Sequence, residues 1–228
     1  MATFKLTPRT LEILKNFQTI NPSIVFRPGR KLTTMSIGRK VLAFADIEQE
    51  IHDHFGIYEL NKFFGSVSLF KDPQITFAKP FIIMQEDNRA LTYVMADPQD
   101  VVAPDENTIS DLPEFDVEFK LTEKNLKDAL KAAAILNQPH VAFDGHGTMV
   151  NIATYNIDKP SNEIYESSVG EFSGPGSTNR FKIITKLENL KLFPGDYTVR
   201  ICFKLKALQF VGNDVSYLIA AESKSTVD

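Results

Sequence analysis

The residues best equipped for metal chemistry in this 228-residue chain form one small group. His52 and His54 flank Asp53, and imidazole and carboxylate side chains are the ligands that zinc sites use. Alternation with Ile51 and Phe55 is typical of a surface strand, however, and no second pair of ligands stands at a supporting spacing. The sequence therefore predicts no metal site here.

Catalytic motifs are equally sparse. The stretch from Gly170 to Gly176 holds three glycines, but it lacks the Lys-Ser/Thr ending and the strand-to-helix context of a phosphate-binding loop. No Ser, His and Asp set accompanies a nucleophile motif. The single cysteine, Cys202, lies inside a strand-like run and is interpreted as a small buried residue. We therefore expect a protein that is not an enzyme and that needs no cofactor.

Three lysines carry the most suggestive chemistry. Lys124, Lys127 and Lys131 recur at helical spacing, where each ammonium group can attract a phosphate. The opposite side of the same predicted helix is apolar, with Leu126, Ala129, Leu130, Ala133 and Leu136. Taken alone, this stripe is better explained as an ordinary solvated helix surface.

Basic residues recur on the other predicted helices, while acidic residues concentrate elsewhere, notably in Asp46 to Glu59 and the Asp97 to Asp111 segment. This distribution suits a surface that attracts phosphates weakly without reading bases. The net charge of −4 argues against a protein that wraps DNA tightly. The residues predicted to face DNA are Arg9, Lys15, Lys62, Lys124, Lys127, Lys131, Lys182, Lys186 and Lys191.

The elements that must position these cations occur in one order twice. A helix capped by Thr7 and Pro8 precedes several strands, a short helix from Ile57 to Ser68 that Gly65 weakens, and further strands. A helix from Thr122 to about Asn137 opens the second set, which contains a short helix from Thr185 to Leu192.

The repeated order predicts an α+β protein of two similar domains, each an antiparallel sheet with two helices on one face. The domains are placed at 1–110, which includes part of a Pro-rich connector at about 97–113, and at 114–228. No apolar run is long enough for a membrane span and no leader pattern opens the chain, so we expect a cytosolic protein without a membrane partner.

Five segments give the chain a family resemblance. They are LKNFQTIN (Leu14 to Asn21), IYELNKFFGSVSL (Ile57 to Leu69), ADPQDVVAP (Ala96 to Pro104), FPGDYTV (Phe193 to Val199) and YLIAAESKST (Tyr217 to Thr226). In this order and at these spacings they resemble the T4-type bacteriophage sliding clamp, the DNA polymerase processivity factor. The resemblance extends over essentially the whole chain and is weakest from Gln138 to Thr178.

The resemblance implies a homotrimeric ring whose helices line a hole for duplex DNA, in the cytoplasm of an infected bacterial host. It further implies a clamp loader, late-transcription factors and the C-terminal tail of the DNA polymerase as partners. Tail docking is expected on Val101, Val102, Pro104, Leu218, Ala220 and Ala221, although these residues can equally serve only to pack the connector. Subunits are expected to join an edge strand near Ala90 to Ala96 to one near Ile164 to Phe172.

Two other classes of protein are compatible with this composition. A phage structural or assembly protein of β-rich domains would show no DNA-dependent behaviour. An enzyme would have a deep pocket with perturbed ionisable groups. The duplicated pattern and the basic helices favour the clamp.

Overall fold

The computed structural model describes residues 2–3, 6–159, 163–176 and 180–228, without the side chains of residues 2 and 3. The chain folds as two compact units, Met1–Thr108 and Ile109–Asp228. The predicted connector at 97–113 contains this division. None of the described helices has the length and apolar character needed to cross a membrane.

Helix α1, Pro8–Ile20, begins as the sequence predicts. The Thr7 hydroxyl accepts a hydrogen bond from the Thr10 N–H, and Pro8 occupies the first turn, where its missing N–H costs nothing. Ile13, Leu14 and Phe17 are buried at helical spacing. The apolar face therefore fixes the helix on the strands of its unit.

The first unit combines two helices with short antiparallel pairs. Strands β2 (Ile24–Phe26) and β5 (Phe55–Ile57) pair with each other, as do β3 (Gly29–Met35) and β4 (Val41–Ile51). A further sheet has the order β1-β6-β7-β8, formed by Ala2–Thr3, Gln74–Ala78, Phe81–Glu86 and Arg89–Val94. Helix α2, Leu60–Val67, lies between these groups in sequence.

Aromatic packing holds the first unit together. The rings of Phe26 and Phe55 stack with centroids 4.8 Å apart, and Phe77 lies 5.1 Å from Phe55. Helix α2 contributes Phe63, whose ring meets Tyr93 of β8 edge-on at 5.8 Å. The core thus joins α2 directly to the last strand of its sheet.

The second unit is one antiparallel sheet with the order β17-β13-β10-β11-β12-β9-β14-β15-β16. Its elements are β9 (Val117–Leu121), α3 (Glu123–Ile135), β10 (His140–His146), β11 (Met149–Tyr155), β12 (Tyr165–Ser173), β13 (Phe181–Lys186), β14 (Tyr197–Cys202), β15 (Ala207–Val211), β16 (Val215–Ala220) and β17 (Thr226–Val227). Phe143 packs against Phe119 and Phe210 at its centre. The expected antiparallel α+β architecture is confirmed.

The predicted helix from Thr185 to Leu192 is wrong. Strand β13 continues to Lys186 because its backbone pairs with β10, where Lys186 lies opposite His140. A single 3-10 turn, Leu187–Asn189, follows, and the Leu187 N–H donates to the Pro139 carbonyl. An α-helix cannot begin at Thr185, because the backbones of Thr185 and Lys186 are already paired in the sheet. Among its described residues the second unit therefore has one α-helix rather than two.

The predicted strand through His52 and His54 is also wrong. Strand β4 ends at Ile51 and β5 begins at Phe55, so both histidines lie exposed in the short connection between them. The alternation with Ile51 and Phe55 arises because those two residues end and begin buried strands.

Close packing in the second unit makes a testable prediction at Gly145. A Cβ there would lie 2.1 Å from a ring atom of Phe181, which is fully buried. Gly145→Ala should lower the free energy of unfolding by about 1–3 kcal/mol, as overpacked cores do. Urea unfolding at one fixed protein concentration measures the change, because assembly makes stability depend on concentration.

Gly65→Ala is the matched control. Gly65 lies in helix α2, and a Cβ there meets nothing within 4 Å. The same substitution should stabilise by up to about 1 kcal/mol, since Ala is the better helix former. Equal effects at the two positions would contradict the packing argument.

Candidate nucleic-acid interface

Helix α3 presents the predicted basic stripe to solvent. Thr122 caps its first turn through the Asn125 N–H. Leu126, Ala129 and Ala133 are buried, and the predicted apolar residues Leu130 and Leu136 are half-buried. The stripe itself is exposed, as seen for Lys124, Lys127 and Lys131. The sequence pattern therefore gave the two faces of this helix correctly.

Carboxylates on the same helix partly neutralise this stripe. Lys124 Nζ lies 2.7 Å from Asp128 Oδ2, and Lys127 Nζ lies 3.3 Å from Glu123 Oε1. The hydrogen bond and the charge of Asp128 raise the pKa of Lys124 above its usual value. Lys131 has no ion pair among the described residues. The stripe thus offers weak attraction for phosphates, spread over one helix face.

The acidic partners of these lysines were not recognised from the sequence. Glu123 precedes Lys127 by four residues, and Asp128 follows Lys124 by four, which places each pair on one side of a helix. This spacing of four residues is the feature of the sequence that predicts the two ion pairs. Including it would have predicted a reduced positive potential rather than a bare cationic stripe.

The predicted cations of the first unit lie on its two helices. Arg9 is half-exposed on α1 beside Glu12, with 3.9 Å between Nη1 and Oε2. Lys15 on α1 and Lys62 on α2 are exposed. Gln18 donates a hydrogen bond to Asn61, which links the solvent sides of the two helices.

The remaining predicted cations do not lie on helices. Lys182 is on β13, 3.7 Å from Asp144, with its Nζ over the ring of Tyr155. Lys186 ends the same strand, 3.5 Å from Glu188. Lys191 follows the 3-10 turn. The helical placement proposed for Lys186 and Lys191 is therefore wrong, while their relation to DNA stays a prediction.

The connector residues of the predicted docking site are firmly held. Val101 and Pro104 are buried, whereas 43% of Val102 is exposed. The Asn21 side-chain N–H donates to the carbonyls of Met35 and Val102 at 2.8 and 2.9 Å. The packing interpretation therefore fits Val101 and Pro104 better than it fits Val102.

Arg27 adds a second anchor for this segment. It donates to the Pro104 carbonyl at 2.7 Å and to Thr33 of β3 at 3.3 Å. In the second unit, Leu218 and Ala220 on β16 are half-buried, as is Ala221 just beyond it. Neither Asn21 nor Arg27 was recognised from the sequence as an anchor of the connector.

The second unit contains a cavity of about 520 Å³. Burial lowers the pKa of His140, which lines it, below the usual histidine value. The other lining residues are Pro139, Asp158, Lys186, Leu187, Glu188 and Lys191, which include no Ser, Thr or Cys nucleophile. No group of three potential metal ligands occurs within the described ranges.

The architecture matches that of solved DNA clamps. The structure resembles the PCNA of A. fulgidus solved with the C-terminal region of FEN-1 bound, with a TM-score of 0.71 and 14% identity, covering 99% of this chain and 100% of that one. It also resembles the Helicobacter pylori β clamp bound to a DNA ligase peptide, with a TM-score of 0.68 and 12% identity over 96% of this chain and 65% of that one. The chain has the DNA-clamp fold.

Sequence comparison finds similarity to the sliding clamps of T4-type phages. The chain is 28% identical over 223 residues to the sliding clamp of Vibrio phage KVP40, covering 96% of this chain and 99% of that one. It is 29% identical over 231 residues to the sliding clamp of Enterobacteria phage T4, covering 98% and 99%. No protein-family model matches the chain. The resemblance to T4-type phage sliding clamps is confirmed.

The α3 stripe makes a prediction for DNA binding. Replacing Lys127 and Lys131 by Glu should weaken binding to a short duplex at low salt and lower the salt slope by about two, because each phosphate contact contributes about one. Fluorescence anisotropy across a salt series measures both quantities. Single replacements should have small effects.

The control changes the same charge away from the helices. Lys204 and Lys206 lie on the turn between β14 and β15 and are exposed. Lys204→Glu with Lys206→Glu should leave the slope closer to that of the original protein. An equal loss in both double variants would mean that overall charge, and not the stripe, governs binding.

Proposed function

We propose that this protein is a DNA sliding clamp that encircles duplex DNA and holds the replicative polymerase for processive synthesis. The observation that carries the proposal is the full-length similarity to phage sliding clamps in a chain with the DNA-clamp fold. The alternative of a phage structural or assembly protein is not favoured by these similarities. The activity requires no bond to be made or broken.

The proposed mechanism is retention by topology. A closed ring stays on DNA without a strong contact, so the cations that face the duplex need only guide it. Phosphate contacts are independent of sequence and weaken with salt, which permits movement along the duplex. The partly neutralised lysines of α3 suit this role, because a bare cationic face would hold the backbone more tightly.

We assign the ring three copies, joined through strand edges. Strand β8 is the last strand of its sheet. In the described part of the chain, β12 meets β9 only at Phe172 and Ser173, so Tyr165 to Glu171 has a strand neighbour only on the β11 side. Unpaired edges are templates for joining another chain. Exposed apolar side chains accompany both edges, with Val94 65% and Ile164 55% exposed.

The helices support the same pairing. Helix α2 packs on β8, where the Tyr93 hydroxyl donates to the Glu59 carbonyl at the start of the helix. Helix α3 is tied to β12 by the Asn125 side chain, which donates to the Ser168 carbonyl at 3.1 Å. Joining β8 to β12 therefore brings α2 of one copy towards α3 of the next. The helix layer and its cations then continue from copy to copy.

The proposed partners follow from the same similarity. They are the polymerase C-terminal tail, a clamp loader and late-transcription factors, in the cytoplasm of an infected bacterium. Peptide docking is a mode that the similar PCNA and β clamp exhibit, since those structures hold the C-terminal region of FEN-1 and a DNA ligase peptide. Val102 is the connector residue with exposed apolar surface for such a contact.

Assembly and function are tested together at β8. The protein should sediment as a trimer and support long products in primer extension with its polymerase and loader. Val94→Asp should shift it towards monomers and shorten the products, because a charge would be placed in the joined edge. Leu205→Asp, at a residue 51% exposed on the β14–β15 turn, is the control and should change neither. A strictly monomeric original protein at micromolar concentration would refute the ring.

Docking is tested at Val102. Val102→Asp should weaken binding of the polymerase tail peptide in calorimetry by more than tenfold, since loss of a buried apolar anchor commonly costs about 2 kcal/mol. The trimer and its melting temperature should stay nearly unchanged. Ile109→Asp, at a connector residue 65% exposed, is the control. A destabilised ring with unchanged peptide affinity would assign Val102 a packing role instead.

A further inference from the structure

A cavity of about 430 Å³ lies in the first unit between the first half of α1 and the second half of α2, and we call it the α1–α2 cavity. Helix α1 lines it with Pro8, Leu11 and Lys15. Helix α2 lines it with Phe64 and Val67. These spacings of three and four positions place the residues on one side of each helix. The other lining residues are Leu6, Ser68, Phe70, Lys71, Asp72, Pro73 and Ile75. The walls are thus mostly apolar and include two aromatic rings.

Two exposed lysines complete the lining of the α1–α2 cavity. They are Lys15 of α1 and Lys71, which follows α2. Neither forms an ion pair within the described part of the chain. Because lysine keeps its ammonium group in water while its stem covers apolar surface, the two charges lie where the cavity opens to solvent. A ligand with an apolar or aromatic body and an anionic group matches both features.

The segment that follows α2 forms one wall of the cavity and is held by the hairpin of β7 and β8. Glu86 accepts hydrogen bonds from the N–H groups of Lys71 and Asp72 at 3.0 and 2.6 Å. The bond from the Asp72 N–H is the largest cause that lowers the pKa of Glu86 below its usual value, so the carboxylate stays charged at neutral pH. Arg89, itself paired with Glu86, lies 5.4 Å from the centroid of the Phe70 ring. The cavity is therefore formed before any ligand binds.

We propose that the α1–α2 cavity binds an unpaired nucleotide of single-stranded DNA. The base packs against Phe64 and Phe70, and the neighbouring phosphates meet Lys15 and Lys71. Aromatic side chains beside a basic surface are the general means by which proteins hold single strands. A paired base cannot enter, because it would first have to leave the duplex. The inference goes beyond the proposed function, which concerns duplex DNA.

Charge complementarity selects an anionic occupant, and the surroundings of the cavity select DNA. Arg9, Lys15 and Lys62 lie on the same two helices and are predicted to face DNA. The cavity therefore continues a surface already proposed to meet phosphates. Phosphates at the two lysines position the strand without regard to sequence, and the base that enters the cavity retains it.

An aliphatic anion such as a fatty acid is the less suitable occupant of the cavity. Ser68 and Asp72 add polar atoms to the lining. An alkyl chain would cover such atoms without a hydrogen bond, which is costly, whereas the edge of a base offers donors and acceptors. Binding of a fatty acid is nevertheless an outcome that the experiment separates.

The experiment compares two fluorescent oligomers of equal length, one of deoxythymidine and one of abasic sites, which carry the same phosphates. By fluorescence anisotropy, the original protein should bind the thymidine oligomer about tenfold more tightly, the effect expected of one stacked base. Phe64→Leu with Phe70→Leu should remove that preference and leave binding of the abasic oligomer unchanged. Leucine keeps apolar volume at both positions, so the variant loses the rings without leaving large gaps.

Each change has a matched control outside the cavity. Phe81→Leu, at a residue 40% exposed at the start of β7, should keep the preference for thymidine. Lys15→Gln with Lys71→Gln should weaken binding of both oligomers and lower the salt slope by about 1.4, because each phosphate contact to a single strand contributes about 0.7. Lys31→Gln with Lys40→Gln, at exposed lysines outside the helices, should leave the slope unchanged.

Three results would overturn the inference. The first is equal binding of the two oligomers by the original protein, and the second is a thymidine preference that survives in the Phe64 and Phe70 variant. The third is binding of dodecanoate that the thymidine oligomer does not displace and that the Lys15 and Lys71 variant loses, since the cavity would then hold an aliphatic anion. These measurements need neither polymerase nor clamp loader. Primer extension judges the clamp function separately, so either failure can be recognised on its own.

Discussion

In both units the helices have no surface to pack on until antiparallel strands have paired. Backbone hydrogen bonding between strands is therefore the interaction on which the other features depend. Pairing fixes which side chain points into the core at each position, because neighbours along a strand face opposite sides. It also sets where the sheets end. The open edge of β8 and the half-paired length of β12 follow from the same ladder that buries Phe143 and Phe210.

The charged residues of the protein are distributed so that a basic helix surface occurs on an acidic protein. A net charge of −4 and a basic helix are compatible because each lysine acts over a short range in salt. On α3, Asp128 and Glu123 moderate the cations nearest to them. Exposed pairs of this kind add little stability. Their main effect is to lower the positive electrostatic potential near the helix. A weaker potential holds a polyanion such as DNA less tightly, which permits sliding.

Local signals in the sequence predicted much of this structure. The cap formed by Thr7 and Pro8 placed α1, and the periodicity after Thr122 placed α3 and its two faces. These elements are determined by residues within a few positions of each other, which is the range over which sequence patterns are informative.

The failures involve partners distant in sequence. The segment after Thr185 has helical composition, but β10 takes up its backbone hydrogen bonds, and β10 is some forty residues earlier. The link from Asn21 to Val102 spans 81 positions. Nothing about an asparagine or a valine in the sequence indicates that the two residues are hydrogen-bonded. The predicted docking site consequently included Val102 but neither Asn21 nor Arg27, which hold the connector in place.

The short contact between β12 and β9 has a consequence for opening and closing a ring. Within the described residues, β12 pairs with β9 only at Phe172 and Ser173, so the length that would join another copy has no strand neighbour on that side in its own unit. Separating two copies there would expose one strand edge on each, and every strand pairing inside the units would persist. In the proposed ring, the free energy of opening would then be set by the contacts between the two copies alone.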